Sequence, residues 1–170
     1  RVRFQTDLHP KAGEGLDETG ADEVQFLMSA NVGEDLKPIQ RIASGGELSR
    51  IMLALKNVLA ENEAIATLIF DEVDTGVSGR AAQKVALKMA AVAKNKQVLC
   101  VTHLPQIAAM AGVHFSVEKG ERNGRTYTRV ERLDREGRIQ ALARLTGGEH
   151  ITPAILAGAE ELLRGGAERQ

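Results

Sequence analysis

A single cysteine, Cys100, stands among 170 residues. No internal disulfide framework can hold this chain, and the composition fits a reducing cytosol. Charge of one sign is also missing. Twenty-two basic and 23 acidic residues leave a formal charge of −1, which gives no bulk attraction to nucleic acid or to an anionic membrane. No apolar run approaches the roughly 20 residues that a bilayer-spanning helix needs. The N-terminus, Arg1-Val2-Arg3-Phe4-Gln5-Thr6-Asp7, lacks a signal-peptide pattern and reads as a strand. It also lacks an initiator Met, so the chain reads as a fragment or a processed product. Internal repeats and low-complexity tracts are absent too. What is present is the composition of about one globular domain, 43% hydrophobic and 26% charged.

Val2–Leu8 and Val24–Ala30 have strand character, and the polar stretch Lys11–Asp22 between them reads as a loop. Together they predict a long-looped antiparallel hairpin. A further loop, Asn31–Pro38, leads to Ile42-Ala43-Ser44-Gly45-Gly46-Glu47. Leu48, Ile51, Met52, Leu55, Val58 and Leu59 then recur at helical spacing and predict a helix over Gly45–Glu61. Ala64–Phe70 is a continuous apolar run, which predicts a strand covered on both faces, as in a parallel sheet. Gly76–Gly79 is a turn, and Arg80–Lys94 a helix with Ala82, Val85, Ala86, Met89, Ala90 and Ala93 on one side. Gln97–Val101 predicts a second buried strand, and Pro105–Ala111 a short helix with Pro in its first turn. Val113–Glu118 and Thr126–Leu133 alternate on either side of Asn123-Gly124, a hairpin cue. Ile139, Leu142 and Leu145 mark a helix ending at Gly147-Gly148, and Thr152-Pro153 opens a last one ending at Gly165-Gly166. The predicted fold class is α/β: a mostly parallel wound sheet with helices and an antiparallel edge hairpin.

Three segments carry chemistry. In Ser44-Gly45-Gly46-Glu47, Ser44 and Glu47 have the spacing of a capping box. A cap does not explain two glycines in a first turn, which cost about 1 kcal/mol each relative to alanine. Glycines there let a phosphate approach the bare amides at the positive end of the helix dipole. In Thr67-Leu68-Ile69-Phe70-Asp71-Glu72, two adjacent acids end a strand at the carboxyl edge, where wound α/β sheets bind ligands. One carboxylate can hold Mg²⁺ and the next can orient an attacking water; a solvated pair of acids at a turn is the plainer alternative. In Val98-Leu99-Cys100-Val101-Thr102-His103, an apolar strand again ends in a polar residue. A neighbouring strand would place His103 beside the same crevice; an ordinary loop histidine is the plainer alternative. Cys100 and His103 do not make a zinc site, which needs about four ligands, and His9, His114 and His150 show no supporting spacing. From Glu118 to Arg144, eight basic residues face five acids, a pattern of a solvated hairpin face that leaves weak phosphate contact open.

Ser44 precedes Asp71 by 27 residues, and His103 follows it by 32, with a helical segment of crossover length in each interval. This order resembles the head of ABC-type ATPases, in which the Ser-Gly-Gly segment is the signature, the strand with Asp-Glu is Walker B and the strand-end His is the switch histidine. Ile42-Ala43-Ser44-Gly45-Gly46-Glu47-Leu48-Ser49-Arg50, Phe70-Asp71-Glu72-Val73-Asp74-Thr75-Gly76-Val77-Ser78-Gly79 and Val101-Thr102-His103-Leu104-Pro105-Gln106-Ile107-Ala108 are more closely similar to the RecN family of DNA-repair proteins. The resemblance covers roughly residues 1 to 163 and is to the C-terminal half of those proteins. Leu48 and Val77-Ser78 depart from the heads of structural-maintenance-of-chromosomes (SMC) proteins, which usually have Lys and Leu-Asp there, and Ala43 departs from the Leu of many transporters. Gly-x-x-x-x-Gly-Lys-[Ser/Thr] does not occur, and the dipeptide Gly-Lys never appears. The resemblance places that phosphate loop in an N-terminal half, beyond a long antiparallel coiled coil, and this chain has no sustained heptads.

The resemblance implies the C-terminal half of an ATPase head, with strands and loops over 1–40, the signature, Walker B and switch-His core over 41–112, and a hairpin and helices over 113–170. It implies ATP and Mg²⁺ as cofactors. Asp71 would be the metal carboxylate, Glu72 would position the attacking water and His103 would contact the γ-phosphate. Ser44, Gly45, Gly46 and Glu47 would bind the nucleotide held by an opposite head. The implied partners are the N-terminal half of the same head, a second head in an ATP-bridged dimer, and DNA, with no membrane, in a cytoplasmic, nucleoid-associated setting. The implied activity is ATP hydrolysis by paired heads, driving DNA binding or tethering in double-strand break repair and recombination. Two rivals are a non-hydrolysing structural half-head that serves as an interaction module and the head of another SMC-like protein.

Overall fold

The computed structural model describes residues 2–11, 16–29, 33–41, 45–59, 64–122 and 124–168. The chain forms two compact units, Arg1–Leu48 and Ser49–Gln170.

In the first unit, β1 (Arg3–Pro10) and β2 (Asp22–Ser29) pair antiparallel, with Arg3 opposite Ser29 and Pro10 opposite Asp22. This is the expected long-looped hairpin. Alternation puts Phe4, Leu8, Val24 and Phe26 on one face, where the Phe4 and Phe26 rings stack with centroids 5.7 Å apart. Just beyond β1, the Lys11 ammonium donates to both Asp17 oxygens, at 2.8 and 2.7 Å. A third strand, β3 (Lys37–Pro38), pairs with β2, and a 3₁₀ turn follows over Ile39–Arg41. β3 lies at the end of the stretch read as a loop and the 3₁₀ turn just after it; elements of two and three residues carry no hydrophobic period to read.

Helix α1 spans Gly45–Leu59, and Glu61, its expected end, lies outside the described residues. In the second unit follow β4 (Thr67–Phe70), α2 (Gly79–Ala93), β5 (Gln97–Cys100), α3 (Pro105–Ala108), β6 (Phe115–Arg122), β7 (Arg125–Arg132), α4 (Arg135–Gly147) and α5 (Pro153–Ala167). β4 and β5 are parallel, Thr67 opposite Gln97 and Phe70 opposite Cys100, with α2 as the crossover. Leu53, Leu68, Phe70, Val73, Ala86, Met89, Val92 and Ile107 close one core around this pair. A second cluster, built on Leu142, Ala143, Ala159 and Leu163, joins α4 and α5 to Ala108 and Ala109. No helix among the described residues is long and apolar enough to cross a membrane.

The α/β architecture with parallel and antiparallel sheets is the expected one, and several details differ. The parallel part consists, among the described residues, of two strands, and β6–β7 forms its own two-stranded sheet and not the edge of β4–β5. The expected burial of β4 on both faces is not met: Leu68 and Phe70 are buried, whereas Ile69 is 71% exposed. On β5 Leu99 is exposed, as is Val101 just beyond it. The predicted stripe of α1 is largely bare as well, with Leu48, Met52, Leu55, Val58 and Leu59 exposed and Leu53 buried in the core. The apolar runs of β4 and β5 read as covered on both faces, whereas the described residues cover one face of each; on α1 the buried core residue, Leu53, lies off the expected stripe. Helix α5 runs through Gly165-Gly166, where an end was expected. A Cβ on Gly166 would stand 2.4 Å from the Ala109 carbonyl oxygen, so this glycine serves close packing against the residue that follows α3.

Candidate functional site

The strand β4 stops at Phe70 because the backbone turns sharply two residues later. Glu72 has φ 56°, the one positive φ at a non-glycine among the described residues. That left-handed conformation costs about 1–2 kcal/mol for an L-residue with a side chain. Such strain concentrates at functional sites, where the surrounding structure enforces it. Here the enforcing contacts are visible. The Asp71 carboxylate accepts the Glu72 amide at 2.9 Å, and the Thr75 amide donates to the Glu72 carbonyl at 3.0 Å. Ser49 Oγ donates to the Asp71 carbonyl at 2.8 Å. The Arg50 guanidinium donates to the carbonyls of Val73 and Thr75, at 3.3 and 2.7 Å. Asp71 and Glu72 are both exposed at the carboxyl end of the strand.

On the neighbouring strand, the Val101 amide donates to the Phe70 carbonyl at 3.0 Å, extending the pairing of β5 past its end. The chain then turns at Thr102-His103 and meets the turn that follows β4. Their meeting point is Asp74, which is 3% exposed. One of its oxygens, Oδ2, accepts from the Thr102 hydroxyl at 2.6 Å and from the His103 amide at 2.8 Å, and lies 3.1 Å from His103 Nδ1. Burial alone would push the Asp74 pKa up. The Thr102 hydroxyl, the His103 amide and the imidazole together outweigh it and hold the carboxyl below its usual range. Thr102 Oγ1 in turn accepts the Leu104 amide at 3.1 Å.

The fold therefore brings Asp71, Glu72 and His103 to adjoining strand ends, through a buried acid that the motifs did not single out. The available signal was its place in the sequence Asp71-Glu72-Val73-Asp74, an acid just past a strand end, but its partners lie 28 and 29 positions away. Gly45, Gly46 and Glu47 open α1, within the Arg1–Leu48 unit. Ser44, the fourth residue of that segment, lies outside the described residues, and so does the proposed cap. Ser78, in place of the usual aspartate, is the N-cap of α2 in an extended conformation without a side-chain cap bond. The Cys100 thiol is pushed up to about 12 by burial, and further by the negative charges of Asp74 and Asp71. It stays protonated and packs against the core as a small apolar group.

Among the described residues, no three or more His, Cys, Asp or Glu converge as a metal cage. The exposed Asp71 carboxylate at the end of β4 is the group that could hold a divalent cation such as Mg²⁺, which binds through one or two carboxylates together with phosphates and water. The basic stretch after β5 is laced with exposed ion pairs: Arg129–Glu131 at 2.7 Å, Arg135–Glu160 at 2.6 Å and Arg144–Glu118 at 3.7 Å. These match the solvated reading of that face.

No family model matches the chain. Among curated proteins, it is 48% identical over 149 residues to the DNA repair protein RecN of Bacillus subtilis, covering 88% of this chain and 26% of that protein. It is 44% identical over 162 residues to the RecN of Haemophilus influenzae, covering 95% and 28%. The chain thus spans little more than a quarter of the length of these relatives. Among solved structures, it superposes on the Smc head domain with a coiled coil and joint from Pyrococcus yayanosii at a TM-score of 0.62 and 21% identity, over 88% of this chain and 26% of that one. A chain from work on the ATP-driven dimerization and DNA-stimulated activation of SMC ATPases superposes at a TM-score of 0.53 and 20% identity, over 86% and 84%. The shared fold is that of an SMC-type ATPase head.

Proposed function

We propose, for a chain that belongs with the RecN proteins over the quarter of their length it spans, that it is one half of an ATP-hydrolysing head. The observation that carries the proposal is the turn after β4. Two exposed carboxylates, the second on a strained left-handed backbone, stand beside a histidine anchored at the next strand end. Asp71 would hold Mg²⁺ together with the phosphates of ATP, and the bound nucleotide would supply the bond to be broken and the charge to be stabilised. Glu72 positions and polarises the attacking water, and His103 contacts the γ-phosphate. Chemistry of this kind rests on positioning and charge stabilisation, not on a covalent intermediate. Gly45 and Gly46, with Ser44 and Glu47, offer their helix start to the nucleotide of an opposite head, so that ATP joins two heads and hydrolysis releases them. The Ile69, Leu99 and Val101 side chains, bare in this chain, fit burial against the half of the head that carries the phosphate loop. DNA binding or tethering in double-strand break repair is the role this reading assigns to the whole protein.

The test is to pair this chain with the N-terminal half and measure ATP hydrolysis with and without DNA. Glu72→Gln should keep ATP binding and head pairing while lowering turnover by about 10²–10⁴, the usual contribution of a positioned acid–base group. Near-normal turnover by Glu72→Gln would sink the reading.

A further inference from the structure

We propose that Asp74 is a positioning residue for His103, fixing which ring nitrogen the histidine presents to a phosphate. The inference rests on the reading of the site as ATP-hydrolysing and adds a residue to it. Asp74 is buried, while the His103 side chain is 69% exposed and would otherwise sample several rotamers. Nδ1 lies 3.1 Å from Asp74 Oδ2, and a negative carboxylate so close favours the proton on that nitrogen. That leaves Nε2 as the nitrogen available to a ligand, which is how an outer carboxylate fixes the tautomer and orientation of a functional imidazole.

The geometry exceeds what a structural staple requires. The Thr102 hydroxyl and the His103 amide already satisfy Asp74 Oδ2 and hold the two turns together. The imidazole Nδ1 also lies 3.1 Å from this oxygen, an electrostatic contact that links the buried acid to a solvent-facing ring. Asp74 is itself fixed from behind, since Arg50 on α1 binds the carbonyls of its two sequence neighbours, Val73 and Thr75. The ring of His103 is therefore tied, through Asp74, to the backbone turn that carries Asp71 and Glu72.

The experiment uses the intact protein, with both halves of the head, and the near-isosteric Asp74→Asn, which removes the negative charge beside Nδ1 while its side-chain oxygen can still accept from Thr102 and from the His103 amide. ATP turnover should fall about 10–100-fold, the range for groups that orient a functional imidazole, with KM for ATP held within about threefold. In a His103→Ala background, Asp74→Asn should cost nothing further. With histidine ring nitrogens labelled, NMR should find Nδ1–H at His103 in the wild type and a shift toward Nε2–H in Asp74→Asn. A full additional loss on top of His103→Ala, or a change in KM alone, would overturn the proposal. So would an Nε2–H tautomer in the wild type. Normal hydrolysis by Glu72→Gln sinks the ATPase reading separately, and the tautomer measurement still decides whether Asp74 sets the ring.

Discussion

Alanine at three glycines of one helix should give opposite signs of stability change. Gly158, Gly165 and Gly166 all lie within α5. A Cβ added at Gly158 or Gly165 meets nothing within 4 Å. There the substitution should gain the difference in helix propensity, roughly 0.8–1 kcal/mol in a helix interior. At Gly166 the same Cβ would stand 2.4 Å from the Ala109 carbonyl oxygen, 2.9 Å from its carbon and 3.3 Å from the Met110 amide nitrogen. All three are backbone atoms, so no side chain can rotate aside. Either α5 lifts from the end of α3 or the carbonyl moves, and overpacking of this kind costs about 1–3 kcal/mol. The propensity gain offsets part of that cost. Gly166→Ala should therefore lie roughly 1–3 kcal/mol below Gly158→Ala and Gly165→Ala. For a chain of this size, each kcal/mol moves Tm by about 2–4 °C. Thermal unfolding of the three variants side by side is the assay. If Gly166→Ala melts with the other two, the contact between α5 and Ala109 is not tight, and Gly165-Gly166 have some other purpose.

Three further outcomes can be checked. With its pKa pushed from 9.0 to about 12, the Cys100 thiol holds roughly a thousandth of the thiolate of a free cysteine at pH 8; alkylation of the native chain should be slower than that of the unfolded chain by a similar factor, and equal rates would refute the burial. Asp74 has a lowered folded pKa against a reference of 3.8, so its contribution to stability is complete above that reference and is lost as pH falls through the lower folded value. Denaturant titrations at pH 7 and pH 3 should show a smaller acid loss in Asp74→Asn than in the wild type, and an unchanged loss would place the linkage elsewhere. In the intact protein, Gly46→Asp should leave ATP binding on single heads intact while blocking ATP-dependent pairing, read by nucleotide titration beside light scattering; lost affinity in single heads would put the segment in cis, and normal pairing would leave it a helix start only.

Periodicity made most elements legible. The hairpin of β1 and β2, the ribbon around Gly124 and the five helices lie within a few residues of their expected places, because alternation and helical spacing are local signals. Asp71, Glu72 and His103 were legible for the same reason, as polar residues abruptly ending apolar strands. Asp74 was not, because its importance lies in partners on another strand end. Nor did local pattern reveal the purpose of Gly166, whose neighbour is a carbonyl some 57 positions back. The overestimate of burial at Ile69, Leu99 and α1 has a different origin. Apolar pattern records every surface a sequence is built to cover, while the fold of one chain shows only the surfaces that chain covers itself.

That difference separates two kinds of order in the molecule. The turn after β4 is over-determined from within: Ser49, Arg50, Asp74 and the Asp71 side chain each hold it, and Glu72 keeps a conformation it would not adopt alone. The apolar sides of β4, β5 and α1 are under-determined, with large side chains left exposed. The proposed half of an ATPase head has reason for both. Its reacting groups must already be in place when the complementary half docks, since docking free energy spent on ordering them is lost to binding. The exposed face must stay apolar for that docking to be favourable, at about 25 cal/mol per Å² buried. Under the proposed function the pre-set turn and the bare face are two consequences of one division of the head into separate stretches of sequence.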